Sequence, residues 1–167
     1  MRRSFRSWTL LAPIALAAAC SPESPTAPSP KGPSLSVGGG GCAYAYVTSG
    51  VLQPINADNS SVFNLGRTIP VKIRVTDCVT GAAANGLAPQ LSLGYTGSGG
   101  GTVNELVSSS AADEGTIMRS AGDGQYIYNL STKNSQFNAG LDLVVGSYQL
   151  TISSPDFAEV MVTFVLR

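Results

Sequence analysis

The sequence predicts an all-β fold, a sandwich or barrel of short strands. Three observations carry this. Apolar and polar residues alternate with period two in segment after segment beyond Cys42. Turn-forming Gly, Asn and Pro recur between those segments. No stretch combines a 3.6-residue apolar period with helix caps; Leu106 to Ala112 comes nearest, and its serines argue against a helix.

Ala43-Tyr44-Ala45-Tyr46-Val47 opens the pattern, alternating small and aromatic residues. Ile69, Val71, Ile73 and Val75 then interleave with Pro70, Lys72, Arg74 and Thr76, as in a half-buried strand with one face in water. Gln125 to Leu130 sets Tyr126 and Tyr128 on one face, with Ile127 and Leu130 elsewhere. Tyr148, Leu150 and Ile152 line one face of the next strand, and Phe157 to Leu166 places Val160, Val162, Phe164 and Leu166 in register. Gly81, Asn85-Gly86, Gly97 to Gly101, Gly122-Asp123-Gly124, Gly140, Gly146 and Pro155 punctuate these runs.

Ahead of the strands lies a different kind of sequence. Residues 1–19 read as an export signal: basic Arg2, Arg3 and Arg6, then an apolar run to Ala19 that is too short to span a bilayer. Ala17-Ala18-Ala19-Cys20 is similar to the lipobox of bacterial lipoproteins, with Ala17 where that family more often has Leu. That resemblance makes Cys20 a lipidated N-terminus. Residues 20–41 are rich in Pro and Ser and close on four glycines, too poor in large apolar side chains to offset the entropy of ordering, so they read as an extended tether. Residues 42–167 form one domain of 126 residues, able to bury roughly two-thirds of its unfolded surface.

The domain carries six Lys/Arg against nine Asp/Glu, a net charge of −3. That balance gives no electrostatic case for nucleic acid, which needs clustered cations, and shows no basic patch for an anionic membrane. The chain has no histidine, so the usual neutral-pH general base and the commonest zinc ligand are missing. Its single tryptophan, Trp8, falls in the signal. With Cys20 assigned to the lipid, Cys42 and Cys78 remain as an even pair, which an oxidising compartment would join. The loop so closed, about 36 residues, corresponds to roughly 3–4 kcal/mol on the loop-entropy account.

One stretch resembles a known family. Phe63-Asn64-Leu65-Gly66-Arg67-Thr68-Ile69-Pro70-Val71-Lys72-Ile73 is similar to the signature of the bacterial PxKF domain, with Gly66, Pro70 and Lys72 in place and Ile73 standing for the family's Phe. Val51-Leu52-Gln53-Pro54-Ile55-Asn56, Gly124 to Lys133, and Gly146-Ser147-Tyr148-Gln149-Leu150 followed by Phe164 resemble its other segments in the same order. The family's tryptophans near the Thr-Lys turn are replaced by Asn129 and Phe137. The resemblance implies an immunoglobulin-like antiparallel β-sandwich of about seven or more strands, carried on secreted or surface proteins, and brings no catalytic signature with it.

Four groups of residues invite a functional reading. Lys72 could contact a partner or pair with Asp77 or Asp58, or simply be a solvent-face lysine that discourages edge pairing. Asp113-Glu114 with Asp123 could suggest the paired carboxylates of a glycosidase, against the simpler reading of a solvated loop. The same acids with Asp58 and Asn59 offer oxygen ligands, but no calcium-loop spacing is present. Tyr44, Tyr46, Tyr126 and Tyr128 could form an aromatic binding face for glycan or protein, against the reading of core and rim. The expectation is therefore a non-catalytic module without cofactor or metal. A lipid on Cys20 would hold it to a bacterial outer membrane or cell surface, Ser21 after Cys20 favouring the outer membrane; free secretion is the alternative. Its partner would be an envelope protein or a glycan.

Overall fold

The computed structural model describes residues 41–167. The expected signal peptide, the lipidation site Cys20 and the tether as far as residue 40 lie outside the described residues. The described residues form eleven strands: β1 (Tyr46–Val51), β2 (Ser61–Phe63), β3 (Thr68–Asp77), β4 (Gln90–Tyr95), β5 (Gly101–Thr102), β6 (Arg119–Gly122), β7 (Gln125–Ser131), β8 (Gln136–Phe137), β9 (Leu141–Asp142), β10 (Gly146–Ser154) and β11 (Phe157–Leu166).

Two sheets contain all but a small β8–β9 ribbon. One has the order β1-β3-β7-β6, the other β2-β11-β10-β4-β5. Every pairing is antiparallel except β2 with β11, which is parallel. With β1 and β2 as the two halves of a split strand A, and the remaining main strands lettered in chain order, the sheets read A-B-E-D and A′-G-F-C-C′. That is the immunoglobulin arrangement. The fold is an all-β, immunoglobulin-like antiparallel sandwich.

The period-two reading explains the core. Ile69, Val71, Ile73 and Val75 of β3, Leu150 and Ile152 of β10, and Val162, Phe164 and Leu166 of β11 are all buried between the sheets. Burial contributes about 1.5–3 kcal/mol for each such large side chain. The first alternating segment enters the sheet late: residues 43–45 bend, and the strand starts at Tyr46. On β7, Tyr126, Tyr128 and Leu130 share one buried face, so Leu130 is not set apart from the tyrosines as expected. Segment 106–112 contains no helix.

Three buried tyrosines do more than fill volume. The Tyr126 hydroxyl donates to the Ala84 carbonyl at 2.9 Å and accepts from the Leu87 amide at 3.0 Å. The Tyr128 hydroxyl faces the carbonyls of Gly115 at 2.9 Å and Leu106 at 3.2 Å. The Tyr148 hydroxyl donates to the Val144 carbonyl at 2.8 Å and accepts from its amide at 2.9 Å. Each tyrosine thus ties one loop to the core: β3–β4, β5–β6 and β9–β10 in turn. Phe would fill the same space and leave those loop groups unpartnered. Tyr148, near the start of the F-equivalent strand and bonded to backbone four residues upstream, is a tyrosine corner.

Cys42 and Cys78 form a disulfide with Cα atoms 6.2 Å apart. It joins the segment before β1 to the residue after β3, at one end of one sheet, and leaves the space between the sheets to aromatic packing. There Tyr148 stacks on Phe164 at 5.9 Å and meets Tyr95 at 5.3 Å.

Candidate functional site

The residues of the PxKF-like motif serve the fold. Gly66 has φ +81° in the turn entering β3, a conformation that favours glycine. Pro70 lies opposite Asn129 on β7. The Asn129 amide and carbonyl both bond away from β3, to Asp113 and to the Ser109 amide, so Pro70 sits at a non-hydrogen-bonded pair. Its nitrogen therefore faces the β1 side, where β1 pairing begins only at Ile73, and no ladder bond is lost. The buried Thr132 hydroxyl accepts from the Arg67 amide at 2.9 Å and donates to its carbonyl at 2.8 Å, locking the Thr-Lys turn against Gly66-Arg67. Ile73 is fully buried.

Lys72 lies on β3, an interior strand of its sheet, so it does not guard an edge. It is half-buried and makes no ion pair with Asp77 or Asp58; among the described residues the ion pair is Arg119–Asp113. Asp77 instead accepts from the Val79 and Thr80 amides and the Thr80 hydroxyl, with Thr80 foremost in holding its carboxyl below the usual range. The Ser60 hydroxyl and amide do the same for Asp58. Asn59 accepts from the Thr163 amide at 2.7 Å, just before the start of β2.

Asp113 is not a solvated loop acid. Its side chain is 0% exposed and accepts from the Arg119 guanidinium, the Ser108 hydroxyl and, at 2.9 Å, the Asn129 amide. Burial pushes its carboxyl up, yet those donors outweigh it and hold the group below the usual range. Asp113 and its loop complete the edge of β7 where β6 has ended. A carboxylate so committed cannot act as a catalytic acid, while Glu114 and Asp123 are exposed, Asp123 at the tip of the β6–β7 turn.

The expected tyrosine face requires correction. Tyr126 and Tyr128 are 0% exposed and face the core. Burial, with the Asp113 charge adding to it, pushes the Tyr128 phenol up to about 12. Tyr44 and Tyr46 lie elsewhere, in the segment leading into β1 and at its start, where apolar surface is exposed. Tyr44 is 45% exposed, Val47 48% and Val79 85%, while Tyr46 is half-buried against the core. Tyr44, Tyr46, Val47, Cys78 and Ala158 line a shallow cleft of about 260 Å³.

This surface is held rigidly. The disulfide fixes residue 42, Cys78 donates its amide to Ala45 at 3.0 Å, and Tyr46 donates its amide to Asp156 at 3.2 Å. The carboxylates nearest in the chain are turned to their own turns: Asp77 accepts from Val79 and Thr80, and Asp156 from the Ser154 hydroxyl at 3.1 Å. Such an exposed aromatic and aliphatic patch suits contact with another macromolecule. Neither a sequence count of tyrosines nor their spacing separates Tyr44 from Tyr126; only the burial of β7 does.

No family model matches the chain, and no curated protein matches it. Among solved structures, that of the RIG-5 IG1 homodimer is similar over 70% of this chain and 94% of that one, at 13% identity and a TM-score of 0.31. A score that low establishes no relationship, and the fold assignment rests on the strand order and register.

Proposed function

We propose that the chain is a lipid-anchored, non-catalytic contact module of the bacterial cell envelope, akin to the PxKF modules its motifs resemble. The observation that carries this is the Tyr44–Val47 cleft, an apolar and aromatic patch held in shape by the Cys42–Cys78 disulfide and backbone bonds from Cys78 and Tyr46. The oxidised cysteine pair agrees with an exported location. The lipobox-like Ala17-Ala18-Ala19-Cys20 supplies the anchor, with Ser21 pointing to the outer membrane. A glycan-binding face built on four tyrosines is not retained, because two of the four are core.

Intact mass of the protein extracted from its native envelope tests the anchor. A diacylated or triacylated Cys20 supports the proposal, and a mass beginning at an unmodified residue near position 20 contradicts it. Tyr44→Ala combined with Val47→Asp, both at exposed positions, should leave the fold intact and abolish association with the envelope partner. Full retention of that association would remove the cleft from the account.

A further inference from the structure

One wall of the Tyr44 cleft depends on a single covalent bond. Among the described residues, residues 41–44 make no backbone hydrogen bond to the rest of the domain. The first backbone tie is the Ala45 carbonyl, which accepts from the Cys78 amide at 3.0 Å. The Tyr46 amide follows, donating to the Asp156 carbonyl at 3.2 Å, and ladder pairing with β3 begins there. Yet Ala43 and Tyr44, ahead of those ties, line the cleft together with Cys78. Tyr44 is 45% exposed, so packing secures it only in part. The remaining tie is the disulfide from Cys42 to Cys78.

The two sides of that bond are held unequally. The Cys78 side keeps its shape without it. The Asp77 amide donates to the Ala82 carbonyl at 2.7 Å, the Gly81 amide to the Asp77 carbonyl at 2.9 Å, and the Asp77 carboxylate accepts from the Val79 and Thr80 amides. The Cys42 side has no such turn. Neither cysteine belongs to the buried core; Cys42 is exposed and Cys78 half-buried. The bond therefore acts on the core only by restricting the unfolded chain, whereas it acts on the cleft directly. Exposed disulfides are also the ones open to thiol exchange in the folded state.

We propose that the Cys42–Cys78 bond is a redox clamp on the contact surface. A dithiol reductant opens it in the folded protein, freeing residues 41–44 and dismantling the Tyr44 wall while the sandwich stays folded. Exchange with an oxidised dithiol rebuilds it. A thiolate of the reductant attacks the exposed Cys42 sulfur, the S–S bond breaks, and Cys78 leaves as a thiolate that takes a proton from water. The reductant's second thiolate then attacks the mixed disulfide and displaces Cys42, which is protonated in turn. Two electrons and two protons pass to the protein, and the reductant ends as its own disulfide. This rests on the reading of the Tyr44 cleft as a contact surface and makes that surface depend on oxidation state.

The test uses dithiothreitol on the full chain carrying Cys20→Ser, which leaves Cys42 and Cys78 as the only cysteines. Thiol alkylation followed by intact mass gives the rate of reduction, and amide NMR spectra report the structure. Reduction should proceed in native buffer at a rate indifferent to sub-denaturing urea, because no unfolding is required. Resonances of residues 42–44 should move to random-coil positions, while those of β7, β10 and β11 stay in place. In intact envelopes, a photo-crosslinking amino acid at Tyr44 should lose its adduct on dithiothreitol treatment and regain it with oxidised glutathione. Cys42→Ser with Cys78→Ser should abolish that adduct without any reductant. The proposal is overturned by a reduction rate that climbs steeply with urea, by residues 42–44 that keep their shifts, by all strands shifting together, or by a full adduct from the reduced or serine form. Spectra that respond as predicted, with no adduct in either state, leave the clamp standing and remove the contact reading instead.

Discussion

Removing the Asp113 carboxylate should destabilise the domain out of proportion to its place in a loop. Asp113→Ala leaves the Asn129 amide, 2.9 Å from that carboxylate, with no acceptor, and strips partners from the Ser108 hydroxyl and the Arg119 guanidinium. A buried donor left unpaired costs about 1–3 kcal/mol, and breaking a buried ion pair about 3–5 kcal/mol. Arg119 is 31% exposed and regains water, so the total should be about 2–4 kcal/mol. In urea this is a midpoint shift of about 1–2 M with an unchanged slope. Asp113→Asn keeps an acceptor for Asn129 but loses the charge, and should cost about 1–2 kcal/mol. The Asp113 carboxyl sits below its ordinary value of 3.8, so the folded state binds this proton less tightly than the unfolded chain. Its stabilisation is complete above that value and is lost as pH falls through the folded-state value. The gap between the parent and Asp113→Asn should therefore hold from neutrality down towards the ordinary value of 3.8 and narrow only as pH falls below it. A midpoint shift under about 0.3 M for Asp113→Ala, or a gap that persists in acid, would refute the buried, charged assignment.

Three further outcomes are expected. Tyr148→Phe removes both bonds to Val144 and should cost about 1–2 kcal/mol, with faster amide exchange confined at first to residues 143–146. Cys42→Ser with Cys78→Ser opens a 36-residue loop and should lower unfolding free energy by about 3–4 kcal/mol, read from urea midpoints with and without reductant. In alkaline spectrophotometric titration Tyr128 should ionise only at about 12, later than an ordinary phenol. Because its folded-state value is raised, its contribution is intact below the ordinary phenol value of 10.0 and is lost as pH rises towards about 12, so alkaline unfolding should begin in that window.

The long strands were legible because one buried face imposes period two, as in Ile69–Val75 and Val160–Leu166. The strand β4 was legible in principle, since Leu91 and Leu93 alternate with Gln90 and Ser92, but six residues ending in Gly94-Tyr95 give a faint signal. Strands β2, β5, β8 and β9 have two or three residues each and no readable period; pairing to longer neighbours defines them. The disulfide followed from compartment and parity alone. Asp113 was misread because the donors that make it structural, Ser108, Arg119 and Asn129, converge only in the fold. The tyrosines were misread for a related reason. A phenol suits water and a loop carbonyl equally well, and sequence does not show that Ala84, Gly115 and Val144 wait at the end of each ring.

The central claim is that the Tyr44 end is where this module touches its partner. Placing a photo-crosslinking amino acid at Tyr44, and separately at Ser92 on the outer face of the second sheet, tests it directly in intact envelopes. The account predicts a discrete covalent adduct from position 44 and none from position 92. An adduct from position 92 alone, or from neither, would contradict it.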